Sequence, residues 1–443
     1  MYDAITIEEM NKPAVALINK DFIIDAESAA SSKGMPAIRV VPENVPCECS
    51  VMEDVEAGVN AMMESFLSAL TKPLTAEEKL PNKKELGEPS RIIFKGTLDE
   101  VNHFFYQRGW SDGLPVIPPT EEAVAEMLTG TDLAPEHLVA RLEPRLGKAM
   151  VEKIAINAVM AGALPIYMPL LIAGVQAMVQ TGFSTSAVST GSWSPFWIVN
   201  GPIRQDLRIN GSSGALSPGD IANAAIGRAM GLIIKNIGGI RKGIEDMGCL
   251  GNPGKYSMFL GENEEESPWE PLHVEYGFKK EDNTVCVSFP NTYVQVQPYA
   301  TDDSGILRTV IYNLVPGRRG GISLVFSPQN AKTLARKGWT KKDIKTFIAE
   351  NGRVPAHRLA SFWALQHGGL FGEKVPLIDA DLVPLVRDPD TVRVLVAGGA
   401  GAWIGIHAPG FSPRSVIKKV ELPANWDKVL AKYKNIVPTY LRY

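Results

Sequence analysis

Charge is missing over a stretch where a chain of this length should carry it. Between residues 154 and 203, fifty consecutive positions hold no Asp, Glu, Lys, Arg or His. Exposed loops normally carry charge, so protein, a partner or a ligand should cover this stretch. Cysteine is scarce: four residues (Cys47, Cys49, Cys249, Cys286) exclude a disulfide scaffold and favour a reducing, cytoplasmic setting. A basic excess is also absent. Lys+Arg number 45 against 49 Asp+Glu, a formal charge of −4, which excludes a nucleic-acid surface as the main role. The most apolar run, 154–180, contains Asn157, Pro165, Pro169 and Gln176, so it reads as two buried helices, each too short for a bilayer. The first residues show neither a basic nor an apolar leader pattern.

What is present is ordinary for a folded chain. Of 443 residues, 45% are hydrophobic and 21% charged, which excludes global disorder. Gly 40 and Pro 32 exclude a long helical bundle. The expected class is α/β, or α+β: a large mixed domain preceded by a small, incomplete α/β domain. Residues 1–71 read as helix, strand (14–18), amphipathic helix (22–32), strand (37–41) and helix (52–70), a two-stranded sheet with no first strand. Residues 72–91 are charged and proline-punctuated, a linker composition. The large domain, 92–443, should mix strands at 92–97, 114–117, 256–260, 284–289, 293–297, 307–314, 322–326, 392–397 and 415–422 with helices at 98–110, 120–128, 148–161, 167–180, 330–337, 341–350 and 357–366. Ser217-Pro218-Gly219-Asp220 has the form of a helix start with Ser217 as cap, opening a helix to about residue 237. A loose strand–proline–helix likeness between 114–128 and 324–334 hints at an internal repeat.

Several groups are candidates for chemistry. Hydroxyls and glycines at 181–195, including Ser189, Thr190 and Ser192 beside Trp193, suit a pocket that orients a small polar molecule. A buried hairpin whose hydroxyls serve the backbone is the alternative. Arg204 can hold a carboxylate or phosphate, with Asn210 close by, or can form an ordinary pair with Asp206. The densest ionisable run, 262–275, offers Glu270 and His273 for acid–base work, or a divalent metal site, although it fits no known ligand spacing. Acidic runs are more often solvated faces. Cys47-Glu48-Cys49 is a strained pair suited to transient redox or metal capture, and Cys249 lies in a glycine-rich turn. Cys286 reads as a small hydrophobe. Gly398-Gly399-Ala400-Gly401 follows a strand without dinucleotide spacing, and His407 nearby can reach a pocket.

Three strings carry a family likeness: Trp110-Ser111-Asp112-Gly113-Leu114-Pro115-Val116-Ile117-Pro118-Pro119-Thr120, the helix over 151–162, and Gly254-Lys255-Tyr256 with Ser267-Pro268-Trp269-Glu270-Pro271-Leu272-His273. They resemble the large domain that accompanies UGSC-motif (seleno)proteins, and the likeness spans most of 92–443, with 1–70 similar to the latter part of the small domain. The resemblance implies a redox-active selenocysteine-or-cysteine–Gly–Ser–Cys motif in that small domain. No such motif occurs in this sequence, and Met1 to Ala4 stand where it would just have ended. The reactive group is therefore expected on a separately encoded small subunit, or upstream of an in-frame UGA read as a stop.

The resulting expectation is the large subunit of a heteromeric thiol- or selenol-dependent enzyme, an oxidoreductase before a lyase or hydrolase, acting on a small polar or anionic molecule. Ser189, Thr190, Ser192, Trp193, Arg204, Asn210, Asp112 and His407 are its candidate binding residues. Glu270 and His273 are its proton carriers, and Cys249, Cys47 or Cys49 its in-chain sulfur. Homo- or hetero-oligomers fit, without nucleic acid or membrane. The alternatives are a metal-assisted lyase or hydrolase on the 262–275 acids and a non-catalytic binding subunit.

Overall fold

The computed structural model describes residues 1–45, 51–75, 91–183, 187–191, 193–314, 321–358, 381–386, 388–408 and 415–437. Helices and several mixed sheets make it an α/β or α+β structure, as the mixture of periodicities predicts.

The first unit runs α1 (Tyr2–Glu9), β1 (Val15–Asn19), α2 (Ile23–Ser32), β2 (Arg39–Glu43) and α3 (Met52–Thr71). β1 and β2 pair in parallel, and among the described residues no further strand joins either edge. Arg39 donates to the carbonyls of Ala69, Lys72 and Pro73, so its guanidinium closes the C-terminal end of α3, where carbonyls lack helical partners. Ser28 on α2 docks this unit on the rest of the chain: its hydroxyl donates to Glu245 at 2.6 Å, a carboxylate also held by Arg145 and Arg241.

The larger part begins without the expected strands at 92–97 and 114–117, which are irregular. The 111–116 turn is instead pinned by side chains. Asn102, on α4 (Leu98–Gln107), accepts from the Val116 amide at 2.7 Å, and Ser111 donates to the Leu114 carbonyl. Then come α5 (Glu121–Leu128), capped by Thr120, a hairpin of β3 (Leu138–Leu142) and β4 (Gly147–Met150), and the helices α6 (Val151–Met160) and α7 (Met168–Gln180). The charge-free stretch is thus mostly buried helix followed by β5 (Phe196–Asn200), a strand hidden among hydroxyls and aromatics in the sequence.

After β5 the order is α8 (Ile203–Asp206), α9 (Ile221–Asn236), β6 (Phe259–Gly261), α10 (Leu272–Glu275), β7 (Thr284–Ser288), β8 (Thr292–Val296), α11 (Asp303–Tyr312), β9 (Ile322–Phe326), α12 (Pro328–Arg336), α13 (Lys341–Asn351), β10 (Arg353–Pro355), β11 (Leu382–Pro384), β12 (Val392–Val396), β13 (Ile404–Ala408), β14 (Val416–Lys419) and α14 (Trp426–Tyr433). Residues 307–314 are not a strand. The Asp302 side chain accepts from the Gly305 amide and starts a helix whose Ile306, Leu307 and Val310 bury one face, and that cap outweighs the β-branched composition. Likewise Ser217 is not the cap of α9: its amide closes a turn on Gly214, and the helix starts after Asp220. The expected helix at 357–366 begins as a single turn at Ala356–Arg358, and the rest of it lies outside the described residues.

Two four-stranded sheets result, ordered β6-β5-β7-β14 and β12-β9-β13-β8, each with one parallel pair followed by two antiparallel ones. Every residue of β5, β7, β9 and β12 is buried, as expected of strands covered on both faces. Trp197 and Val199 face the core beneath α6, α7 and α9, and Ile322, Leu324 and Phe326 face that beneath α11 to α13. Phe196, Ile198, Leu260, Cys286, Val325 and Leu395 form a third core between the sheets. The body is therefore four layers: helices, sheet, sheet, helices.

The two sheets are related by an internal repeat. Each half runs strand, two helices, parallel strand, antiparallel strand, and then gives its last strand to the other sheet: β8 leaves the first half for the second, β14 the reverse. The repeat therefore matches β5 with β9, not the 114–128 segment with 324–334.

Candidate functional site

The acidic run is neutralised by cations from elsewhere in the fold. Glu262 is fully buried; its carboxylate accepts from Asn200 at 2.6 Å and from the Leu272 amide at 2.7 Å, and Lys341 lies 4.0 Å away. Lys341 and Lys345 hold Glu275, and Arg204 holds Glu264 and Glu265, each at 3.0 Å. Among the described residues no three His, Cys, Asp or Glu side chains are grouped to hold a metal. His273 is fully buried on α10 with its Nε2 3.4 Å from the Lys280 carbonyl, while Glu270 is exposed. Charge pairing is what this cluster does in the fold, and His273 and Glu270 meet different environments.

The described part of the hydroxyl-rich segment is occupied with its own loop and its neighbours. Ser189 turns back on Gly191 and the Trp193 indole donates to Ala187, so these side chains serve their own loop. Thr190 accepts through its carbonyl from the Cys249 amide, and Lys255 sits over the Trp193 ring at 4.5 Å while pairing with Asp246. Cys249 is exposed on this rim. Ser192, Cys47 and Cys49 lie outside the described residues. Asp112 is taken up by Arg228 of α9 in a bidentate pair (2.8 and 2.9 Å), and that guanidinium, the first influence after burial, holds its carboxyl below the usual range. Asp112 therefore anchors the 110–115 turn to α9.

Arg204 and Asn210 do line a common cleft, of about 550 Å³, walled by residues 204–220. The Arg204 guanidinium is nevertheless consumed by Glu264, Glu265 and the Glu262 carbonyl, and Asn210 by Asp220 and the backbone. The cation left facing this cleft is Arg208, whose backbone takes the left-handed φ of 54° and whose guanidinium bonds no described residue.

Sharing the Ser213, Gly214 and Ser217 wall with that cleft is a second cavity of about 310 Å³ at the seam between the sheets. Its lining includes Ser327 at the end of β9, Gly398–Gly401 after β12, Trp403, Tyr293 and His407. Among the described residues no Asp, Glu, Lys or Arg contributes to it. His407 is on β13 rather than on a loop, fully buried, with its ring stacked on Phe196 (centroids 3.8 Å, planes 5° apart) and Tyr293 (4.5 Å, 26°). Both ring nitrogens lack a partner among the described residues. Burial first, and the Arg393 guanidinium second, push its pKa down to about 3, so the imidazole is neutral. A buried nitrogen without a partner costs about 1–3 kcal/mol.

The repeat shows why the cavity lies in this half. Ile198 pairs with Leu260 and Cys286 as Val325 pairs with Leu395 and Gly405. Asn200, Glu262 and Cys286 therefore correspond to Ser327, Ala397 and Gly405. The first half fills its seam with an amide, a carboxylate and a thiol; the second leaves a hydroxyl, a methyl and a hydrogen. A Cβ on Gly405 would meet Val325 at 3.3 Å and the Tyr293 ring at 3.4 Å. Sequence reasoning found His407 and the glycine turn but missed Ser213, Ser217, Ser327, Tyr293, Trp403 and Gly405, because serines and glycines scattered over several loops give no local pattern. The third core also buries the Cys286 thiol, pushing its pKa up to about 11 and leaving it unreactive.

No described helix is long and apolar enough to cross a membrane. Comparison of the chain with family models, curated proteins and solved structures gives no match.

Proposed function

We propose that this chain is the substrate-holding component of a thiol- or selenol-dependent enzyme, with the seam cavity as the substrate site. The observation that carries the reading is a cavity with no Asp, Glu, Lys or Arg among its described lining residues, walled by the hydroxyls of Ser213, Ser217 and Ser327 and by the 398–401 glycine turn. Hydroxyls and glycine amides of this kind position a small polar molecule without adding charge.

The reactive sulfur or selenium comes from Cys249 or from a partner that completes the two-stranded N-terminal sheet. A hydrogen-bonded path supports the first source. The Asn252 side chain, three residues after Cys249, donates to the Asn291 carbonyl, and the Asn291 amide donates to Ala408, next to His407. Support for the second source comes from the edges of β1 and β2, which no further strand joins among the described residues, and from the resemblance to UGSC-motif proteins.

Mass-spectrometric alkylation across pH tests the source. Cys249 reacting faster than free cysteine near neutrality supports the in-chain thiol. A rate equal to or below that of free cysteine removes Cys249 and leaves Cys47, Cys49 or the partner as the source.

A further inference from the structure

We propose that the cleft of about 550 Å³ walled by residues 204–220 binds a small zwitterion, an amino acid, whose carboxylate meets Arg208 and whose ammonium meets Asp220. The cleft adjoins the seam cavity through Ser213, Gly214 and Ser217, and its chemistry is independent of what that cavity holds.

Among the described residues, the charged side chains lining this cleft are Arg204, Arg208, Asp220 and Glu265. Two of them cancel. Arg204 reaches Glu265 at 3.0 Å, and Gln205 donates to the same carboxylate at 2.7 Å. The other two stay apart. No ion pair joins Arg208 to Asp220 or to any other described residue, and the Asp220 carboxylate accepts from the neutral Asn210 amide at 2.7 Å. Opposite charges that share a cleft without touching are matched by a ligand that carries both. A ligand with one charge gains one contact and meets a like charge at the other end.

The internal repeat marks the same two residues. From α8 to α9 the chain takes fourteen residues, 207–220, with no helix or strand. The equivalent connection, from α12 to α13, takes four, 337–340. Arg208 and Asp220 stand at the two ends of this insertion. An irregular connection of that length inside a compact body is usually functional. This one is also pinned. Buried Asn223 accepts from the Asn210 amide at 2.9 Å and donates to the Asn210 and Ala215 carbonyls at 3.0 Å. The Gly398 amide donates to the Gly211 carbonyl at 2.9 Å. Arg208 itself holds a left-handed backbone, which residues other than glycine adopt at a cost. A wall fixed before its ligand arrives loses little entropy on binding.

Alanine, β-alanine and 4-aminobutyrate, whose two charges stand progressively farther apart, are the probes. Propionate and ethylamine, with one charge each, are the comparison, and binding to the full chain is read by calorimetry and ligand-detected NMR. One of the zwitterions is expected to bind at least about tenfold more tightly than either singly charged molecule. Arg208→Asn, which tolerates the left-handed backbone, should weaken it by about tenfold or more, and Arg208→Lys should retain most of the affinity. Asp220→Asn keeps an acceptor for Asn210. It should weaken the zwitterion and tighten propionate, a reversal that a merely structural role would not produce. Propionate binding as tightly as every zwitterion, or unmoved by Asp220→Asn, overturns the zwitterion preference. Binding of none of the zwitterions, or binding indifferent to Arg208→Asn, overturns the site.

Discussion

His407 is neutral because two aromatic rings and two β-sheets exclude the water that would solvate an imidazolium, and because Arg393 adds a like charge nearby. Its pKa is depressed from 6.5 to about 3, so the unfolded chain takes up this proton first as pH falls. The stability this group contributes is complete above 6.5 and is lost as pH falls toward 3. Thermal melts should therefore show a decline between these values that is smaller in His407→Phe. The same variant should retain or slightly raise the melting temperature near neutrality, because an apolar ring replaces an unpartnered polar one. Asp25 behaves in the opposite sense. Burial, and then the Glu245 carboxylate, raise its pKa to about 6, so its favourable contribution is complete below the usual carboxylate value of 3.8 and is lost as pH rises through 6. Asp25→Asn should raise the melting temperature at pH 8 and have little effect at pH 4, read by calorimetry.

Among the elements, α9 does the most to place the site. It brings the wall of both cavities to its N-terminal end, and along its length Arg228, Lys235 and Asn236 bind the 109–115 turn through Asp112 and backbone carbonyls. Arg228→Ala leaves Asp112 half-buried without its partner, and should cost about 2–3 kcal/mol in denaturant unfolding. Strands buried on both faces, such as β9 and β12, were legible in the sequence as short apolar runs, and so were the helices with a clear cap, such as α5 and α13. Residues 307–314 misled because Thr, Val and Ile in series imitate a strand while the deciding signal, Asp302, stands outside the run. Of the site, His407 and the 398–401 turn could be read, but neither Arg204 nor Asp112 could be recognised as already paired, since Glu264, Glu265 and Arg228 meet them only in three dimensions.

At the scale of the whole molecule, the exchange of β8 and β14 makes the two sheets interdependent. A chain ending after β13 would expose the β7 edge and remove Trp426, Val429 and Tyr433 from the largest core. It should lose the sharp unfolding transition in scanning calorimetry rather than melt as an intact second half. The exchange also explains why the repeat is silent in the sequence. Equivalent strands differ in the side chains that matter most, because one copy keeps a filled seam and the other a hollow one. In this account the filled copy, with Glu262 locked among its partners, is the scaffold, and the hollow copy is the binding site.

The most direct test is ¹⁵N NMR of the His407 ring at pH 5 in the full chain, with the resonance assigned by His407→Phe. A single neutral tautomer that persists at this pH is the predicted result. An imidazolium titrating near 6.5 would contradict the account.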